Sequence, residues 1–319
     1  MENSTIERIV VDSLLRLDKR IVIPIRSNPY KTGQDVMRIL QSHPEIFYVI
    51  DFKLVPSKTG TLIIPHYAYD KKTVKQYNNN CQVEIDRILQ KVSKVTDCYH
   101  KALLLHDILS EKVCYSKIDD FESHTIIAPL LKNRAVCEGF SKVYCYLLSQ
   151  AGIKAIIVNG YACNPQLQKF EKHSWNMINI DNNWCHVDVT FDTTINENHI
   201  QRYDYFCIPN EWIVLDHKYN VSEYPLSVTK EYSFYERNNM VMITREKLRK
   251  NLMKGLLSGE KDFVFKLPYS APETNLEKKV AKELETVLSE IGLFVQYAIN
   301  YNLKQRVFQI TLIGDNTNE

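Results

Sequence analysis

The chain has 319 residues, 45% of them hydrophobic and 24% charged, with a net charge of +2. That length suffices for more than one domain, and the balance is that of a folded globular protein. No basic stripe interleaved with aromatics offers itself to nucleic acid, no apolar run reaches membrane-spanning length, and the Met1 end lacks a basic-then-apolar leader.

In chain order, the N-terminal flank reads as a helix over 6–18, a strand over 20–25, a helix around 35–42 and strands over 46–55 and 61–67. The C-terminal flank repeats that order: a helix over 245–259, a strand over 262–268, a helix over 277–290 and strands over 293–301 and 306–313. Both first helices end in a Leu-Leu pair, Leu14-Leu15 and Leu256-Leu257. The flanks are read as two small α/β modules around a central core. Duplication of one module and chance likeness of short α/β segments both remain open. Duplication requires the same strand order in each, and first helices buried through Ile9, Leu14 and Leu15 and through Leu248, Leu252 and Leu256. The expected division is 1–90, 91–230 and 231–319.

The central segment carries the chemistry. Phe140, Val143, Tyr144, Leu147, Leu148 and Ala151 recur at helical spacing, and Gly152 supplies a stop. Cys137 falls in the first turn, where unpaired amides and the helix dipole favour a thiolate. Gly139 lets another backbone or a substrate approach closely. No capping side chain stands directly before Cys137, which leaves helix-start amides for an oxyanion. The plain alternative is a buried cysteine acting as a small hydrophobe.

Two strand-like runs follow, 173–180 and 184–191, joined at Asp181-Asn182-Asn183. A two-residue turn at Asp181-Asn182 puts Asp188 opposite Trp175 and diagonal to His173, all on one face. A three-residue loop would flip Asp188 away. The expected catalytic set is Cys137 as nucleophile, His173 as base and Asp188 as orienting acid. His186 is a rival base on the same face as Asp188. His124 lines the cleft or packs near the start of the helix, while His199 and His217 have no evident chemical partner and read as structural.

The motifs A-V-C-E-G-F, H-S-W-N-M-I-N-I and W-C-H-V-D-V-T-F-D, in that order, resemble the transglutaminase-like superfamily. The resemblance runs from about Cys98 to Tyr224. It implies an α+β, papain-like core with the nucleophile helix packed on an antiparallel sheet, Cys137, His173 and Asp188 as the triad, and Trp175 as an aromatic shielding the ion pair. The paired C-x-x-C zinc motifs of the deglycosylating branch are absent, and all three tryptophans follow Cys137, so no upstream tryptophan serves as oxyanion donor.

Cys81, Cys98, Cys114, Cys137, Cys145, Cys163, Cys185 and Cys207 lie far apart in sequence. Without a leader, free thiols in a cytoplasmic, reducing compartment are expected, with no metal and no cofactor. The expected partner is a protein or peptide substrate, with no nucleic acid and no membrane. Three functions fit: a cysteine peptidase-type thiol hydrolase, a transglutaminase-type acyltransferase sharing its thioester intermediate, and a non-catalytic binding protein. Water is the default acyl acceptor and no second amine site is recognisable, which favours hydrolysis.

Overall fold

Helix α1 (Glu2–Leu15), strand β1 (Ile21–Ile23), helix α2 (Pro29–Ser42) and strands β2 (Val49–Ser57) and β3 (Gly60–Tyr67) open the chain. These elements belong to a computed structural model that describes residues 2–24, 29–57, 60–164, 168–195, 200–270 and 274–314. The end of the expected first strand at 25, and His199, lie outside the described residues. The three strands pair antiparallel in the order β1-β3-β2. Val10 and Leu14 are buried, Ile9 is half-buried, and Leu15 is 51% exposed. Leu15 is therefore corrected from the buried face. Neighbouring helix positions lie about 100° apart, so one leucine of the pair turns outward.

Helices α3 (Lys71–Val92), α4 (Cys98–Lys112) and α5 (Ile127–Leu131) lead toward the nucleophile segment. Strands β4 (Cys114–Tyr115) and β5 (Arg134–Ala135) form a short parallel pair just before helix α6 (Cys137–Gln150). Five of the six expected stripe positions are buried along α6, Phe140, Val143, Tyr144, Leu147 and Leu148 each at most 1% exposed, while Ala151 caps the helix and is half-buried. Such side chains contribute about 1.5–3 kcal/mol each on burial.

Strands β6 (Ala155–Asn164), β7 (Lys169–Ile180) and β8 (Asn183–Val187) follow, then helix α7 (Val189–Thr194). The expected second strand thus ends at Val187. Asp188 turns the chain and caps α7 by accepting the Phe191 N–H at 3.0 Å, which makes V-T-F-D helical. After strand β9 (Phe206–Ile208) and helix α8 (Asn210–Ile213) comes strand β10 (His217–Lys218).

The chain forms two compact units. One comprises Met1–Arg202 and His217–Leu226, the other Tyr203–Asp216 and Ser227–Glu319. Within the first, β10, β6, β7 and β8 lie side by side in that order, each pair antiparallel. The second holds helix α9 (Phe234–Arg237) and the C-terminal module of α10 (Arg245–Leu257), β11 (Asp262–Lys266), α11 (Leu276–Glu290), β12 (Gln296–Asn302) and β13 (Val307–Ile313). Its strand order, β11-β13-β12, all antiparallel, repeats the first-third-second order of the N-terminal sheet. Leu248, Leu252 and Leu256 pack in one core with Phe263, Phe265, Leu284, Phe308 and Ile310. Leu257 is exposed, as Leu15 is in the other module.

Candidate active site

The β7–β8 connection sets the geometry. Asp181 and Asn182 both take left-handed φ, 49° and 65°, the backbone a two-residue hairpin turn needs. The register runs from Ile180 opposite Asn183 to Asn176 opposite Val187. Extended by one step, it brings Asp188 beside Trp175 and within side-chain reach of His173. The His173 Nε2–H donates to Asp188 Oδ2 at 2.6 Å. A carboxylate only accepts, so this bond puts a proton on His173 Nε2, and the Cys137 thiol lies close enough to the ring to raise its pKa.

Asp188 is fully buried and carries a second imidazole on the same oxygen: the His217 Nε2–H donates to Oδ2 at 3.1 Å. Burial would raise the Asp188 pKa. The charge and hydrogen bond of His173, followed by those of His217, overcome it and hold the carboxyl well below its usual range. Burial would lower the His173 pKa, but the Asp188 charge and bond, then the Cys137 thiol, push it up. The arrangement favours the imidazolium form of His173 against an ionised Asp188. His173, Asp188 and His217 also form the one group of three metal-ligand types among the described residues, their ligand atoms within 4.8 Å of one another.

Trp175 is buried, stacks on His173 at 6.0 Å between centroids and donates its indole N–H to His186 Nδ1 at 3.0 Å. That bond makes Nδ1 the acceptor, so in the neutral ring Nε2 carries the proton and faces the Tyr219 hydroxyl at 3.1 Å. His186 is thus spent between Trp175 and Tyr219. His124 lies on a 3-10 turn, Phe121–His124, with Nδ1 2.9 Å from Glu138 and Nε2 2.5 Å from Asp119. The Glu138 bond, acting against burial, raises its pKa to about 9, and Glu138 falls to about 2 although burial opposes that.

Several supports hold the start of α6. Ser141 Oγ donates to the Cys137 carbonyl at 2.8 Å, and the Asn176 side-chain amide donates to the Ser141 carbonyl at 2.9 Å, tying α6 to β7. A Cβ on Gly139 would stand 2.2 Å from the Ser123 carbonyl oxygen, so the close approach is made by the 3-10 turn. Val136, the residue before the helix, makes no side-chain cap. Its N–H donates to Ser123 O, and no backbone carbonyl accepts from Cys137 N–H among the described residues. Behind α7, fully buried Asp192 bonds His106 of α4 at 3.1 Å. Burial disfavours the His106 cation, but bonds to Asp107 and Asp192 carry its pKa to about 9.

Two neighbours escaped the sequence reading. His217 reaches Asp188 only through the pairing of β10 on β6, and its one local sign is that it closes the L-D-H segment. Tyr115 sits opposite Ala135 in the β4–β5 pair, two residues before the nucleophile, with its phenol half exposed. Burial raises its pKa first, and the field of Cys137 adds to that. Separately, a cavity of about 1300 Å³ lined by Met37, Gln41, Tyr146, Gln150, Ile157 and Asn159 does not include Cys137, His173 or Asp188.

A helix-start cysteine near a strand histidine that a buried aspartate holds, on a helix packed against an antiparallel sheet, is an α+β arrangement of the papain-like class. The sequence model of the Transglutaminase-like superfamily matches residues 86–189, a span containing Cys137, His173 and Asp188, and the chain carries a transglutaminase-like core there. No curated protein matches the chain. Similar solved structures include a candidate cysteine protease from Cytophaga hutchinsonii, with 15% identity over 44% of this chain and 62% of that one and a TM-score of 0.30. A TGase has 14% identity over 57% and 52%, TM-score 0.33. A candidate protease from Parabacteroides distasonis has 10% identity over 45% and 40%, TM-score 0.26. The chain therefore spans less than two thirds of each of these solved chains. Among the described residues no helix is long and apolar enough to cross a membrane.

Proposed function

We propose that the protein is a cysteine hydrolase of peptide or isopeptide amide bonds. The observation that carries this reading is His173, bonded to the buried Asp188 carboxylate at 2.6 Å, with the Cys137 thiol among the groups that raise its pKa. The Cys137 thiolate adds to the amide carbonyl carbon, and the Cys137 N–H at the unblocked helix start helps to hold the oxyanion. His173 gives its proton to the leaving amine as the C–N bond breaks, which leaves a thioester. His173 then takes a proton from water, whose oxygen attacks the thioester to release the acid and restore the thiol. Asp188 keeps the imidazole in its productive tautomer throughout. Trp175, stacked on His173, shields the ion pair from water, and His124 braces Glu138 beside the nucleophile.

All eight cysteines are free, which suits a thiol enzyme of a reducing, cytoplasmic compartment. A peptide library incubated with the protein, with and without a primary amine, tests the reaction by mass spectrometry. Hydrolysed products in both mixtures are expected. Mass gains matching the added amine would instead identify an acyltransferase, and no change in either would identify a binding protein.

A further inference from the structure

We propose that His217 is a positioning residue of this site, whose ring N–H fixes the Asp188 carboxylate in the orientation that holds His173 against Cys137. The inference rests on the cysteine-nucleophile reading above. Asp188 has two side-chain torsions, and both of its oxygens are committed. Oδ1 accepts the Phe191 N–H at 3.0 Å, and Oδ2 accepts His173 at 2.6 Å and His217 at 3.1 Å. The helix cap alone would let Oδ2 swing about the Oδ1 contact. The bond from His217 approaches from a strand other than that of His173 and removes this freedom.

The fold brings His217 to the site at some cost in permitted sequence. β10 pairs with β6 through His217 opposite Ala162 and Lys218 opposite Tyr161. A Cβ on Gly160 would lie 2.2 Å from the Lys218 carbonyl oxygen and 3.0 Å from the Trp175 ring, so the strand can close in only on a glycine. The His217 ring is fully buried, 4.9 Å from Trp175, 4.9 Å from Phe191 and 5.5 Å from His173 by centroids. An aromatic hydrocarbon ring would fill that space equally well. A buried imidazole is costly unless its polar atoms are paired. The charged and titratable groups facing it include Asp188 from the start of α7 and His173 from β7, while Trp175 and Phe191 are uncharged. Beyond packing, the imidazole places an N–H on the orienting carboxylate.

The unsubstituted protein, His217→Phe and His217→Gln separate packing from positioning. Phe keeps a ring and removes the donor, whereas Gln keeps a donor of similar reach. The readout is the second-order rate of Cys137 alkylation by iodoacetamide from about pH 4 to 9, which reports thiolate formation without a substrate. In the wild type the rate should hold up well below the range of a free thiol, about 8.5. In His217→Phe the rising limb should move up by about one pH unit, an approximately tenfold loss at pH 6, and His217→Gln should come back to within about twofold.

A His217→Phe profile matching the wild type overturns the proposal, as does equal loss in both variants, which would assign the role to packing. A wild-type Cys137 no more reactive at pH 6 than Cys114 overturns the nucleophile reading and this inference with it. Should His217→Phe fail to fold, 15N NMR of the wild-type imidazoles decides. A proton on His217 Nε2 in slow exchange supports the assignment, and an unprotonated Nε2 refutes it.

Discussion

Replacing Asp188 with Asn leaves the shape of the side chain and removes its chemistry. If the new amide keeps its oxygen on the Phe191 N–H, its NH2 takes the place of Oδ2 and meets two N–H groups, where bonds of 2.6 and 3.1 Å stood. If it flips, the cap on α7 is lost. In the less damaging case His173 changes tautomer, its Nε2 accepts from the amide, and a proton instead of a lone pair faces Cys137. Two charge-assisted bonds of about 1.5–3 kcal/mol each disappear. Part of that loss is offset because a buried carboxylate no longer has to be desolvated. A net destabilisation of about 2–4 kcal/mol follows, or a fall in melting temperature of roughly 5–15 °C for a unit of this size. The folded Asp188 pKa is depressed, so its contribution is present above the unfolded carboxyl value of about 3.9 and is lost as pH falls through the folded value. The melting gap between wild type and variant should be wide at pH 7 and should narrow on acidification past about pH 4. Alkylation of Cys137 at pH 6 should slow by roughly two orders of magnitude, since a thiol of pKa about 8.5 is about 0.3% ionised there. Turnover should fall by about 10⁴, the size of the wrong-tautomer effect in the serine-protease triad. A variant that melts within a degree of wild type and labels at pH 6 within twofold would refute this account.

Other outcomes follow from the same geometry. At pH 6 iodoacetamide should modify Cys137 ahead of the other seven cysteines, with the buried Cys81, Cys145, Cys185 and Cys207 slow; peptide mass spectrometry would show equal rates if the helix start gave no activation. His186→Ala should cost about 1–3 kcal/mol of stability through the orphaned Trp175 N–H, yet leave Cys137 alkylation near the wild-type rate; a collapse of reactivity in a folded variant would hand His186 the role of base. His106→Ala removes the 3.1 Å bond to the buried Asp192 carboxylate and should lower stability by about 1.5–3 kcal/mol in chemical denaturation, against a negligible change if α7 is held by other contacts. By NMR titration His124 should stay protonated through neutral pH and lose its proton near 9; because its folded pKa is raised, its modest stabilisation is complete below about 6.5 and fades as pH rises through 9, so an ordinary midpoint would show that the Glu138 and Asp119 contacts are not formed.

The local chemistry of the central segment was legible from residues alone. The apolar spacing of Phe140 to Leu148 fixed the buried face of α6, and with it Cys137 in the first turn. Asp181 and Asn182 tolerate left-handed φ, which made the two-residue turn predictable, and the period of two along a strand then put Asp188 on the face of His173. In each case the deciding interactions lie within about twenty residues of one another, where backbone period and turn type act directly. The expected strand through Phe191 failed for a reason also local: Asp188 is a better helix cap than a strand residue, and its carboxylate accepts the Phe191 N–H.

Tertiary structure decided what the residues could not announce. His217 sits 29 positions beyond Asp188, on a strand of two residues too short to leave a period, and reaches Oδ2 because β10 docks on β6 across Gly160. His106 and Asp192, 86 positions apart, meet only once α4 and α7 pack. Leu14 and Leu15 read alike in sequence, but the sheet beneath α1 accepts one of them and turns the other to solvent. A periodic pattern names the face an element will bury. Which distant side chain is waiting there depends on the pairing of the whole chain.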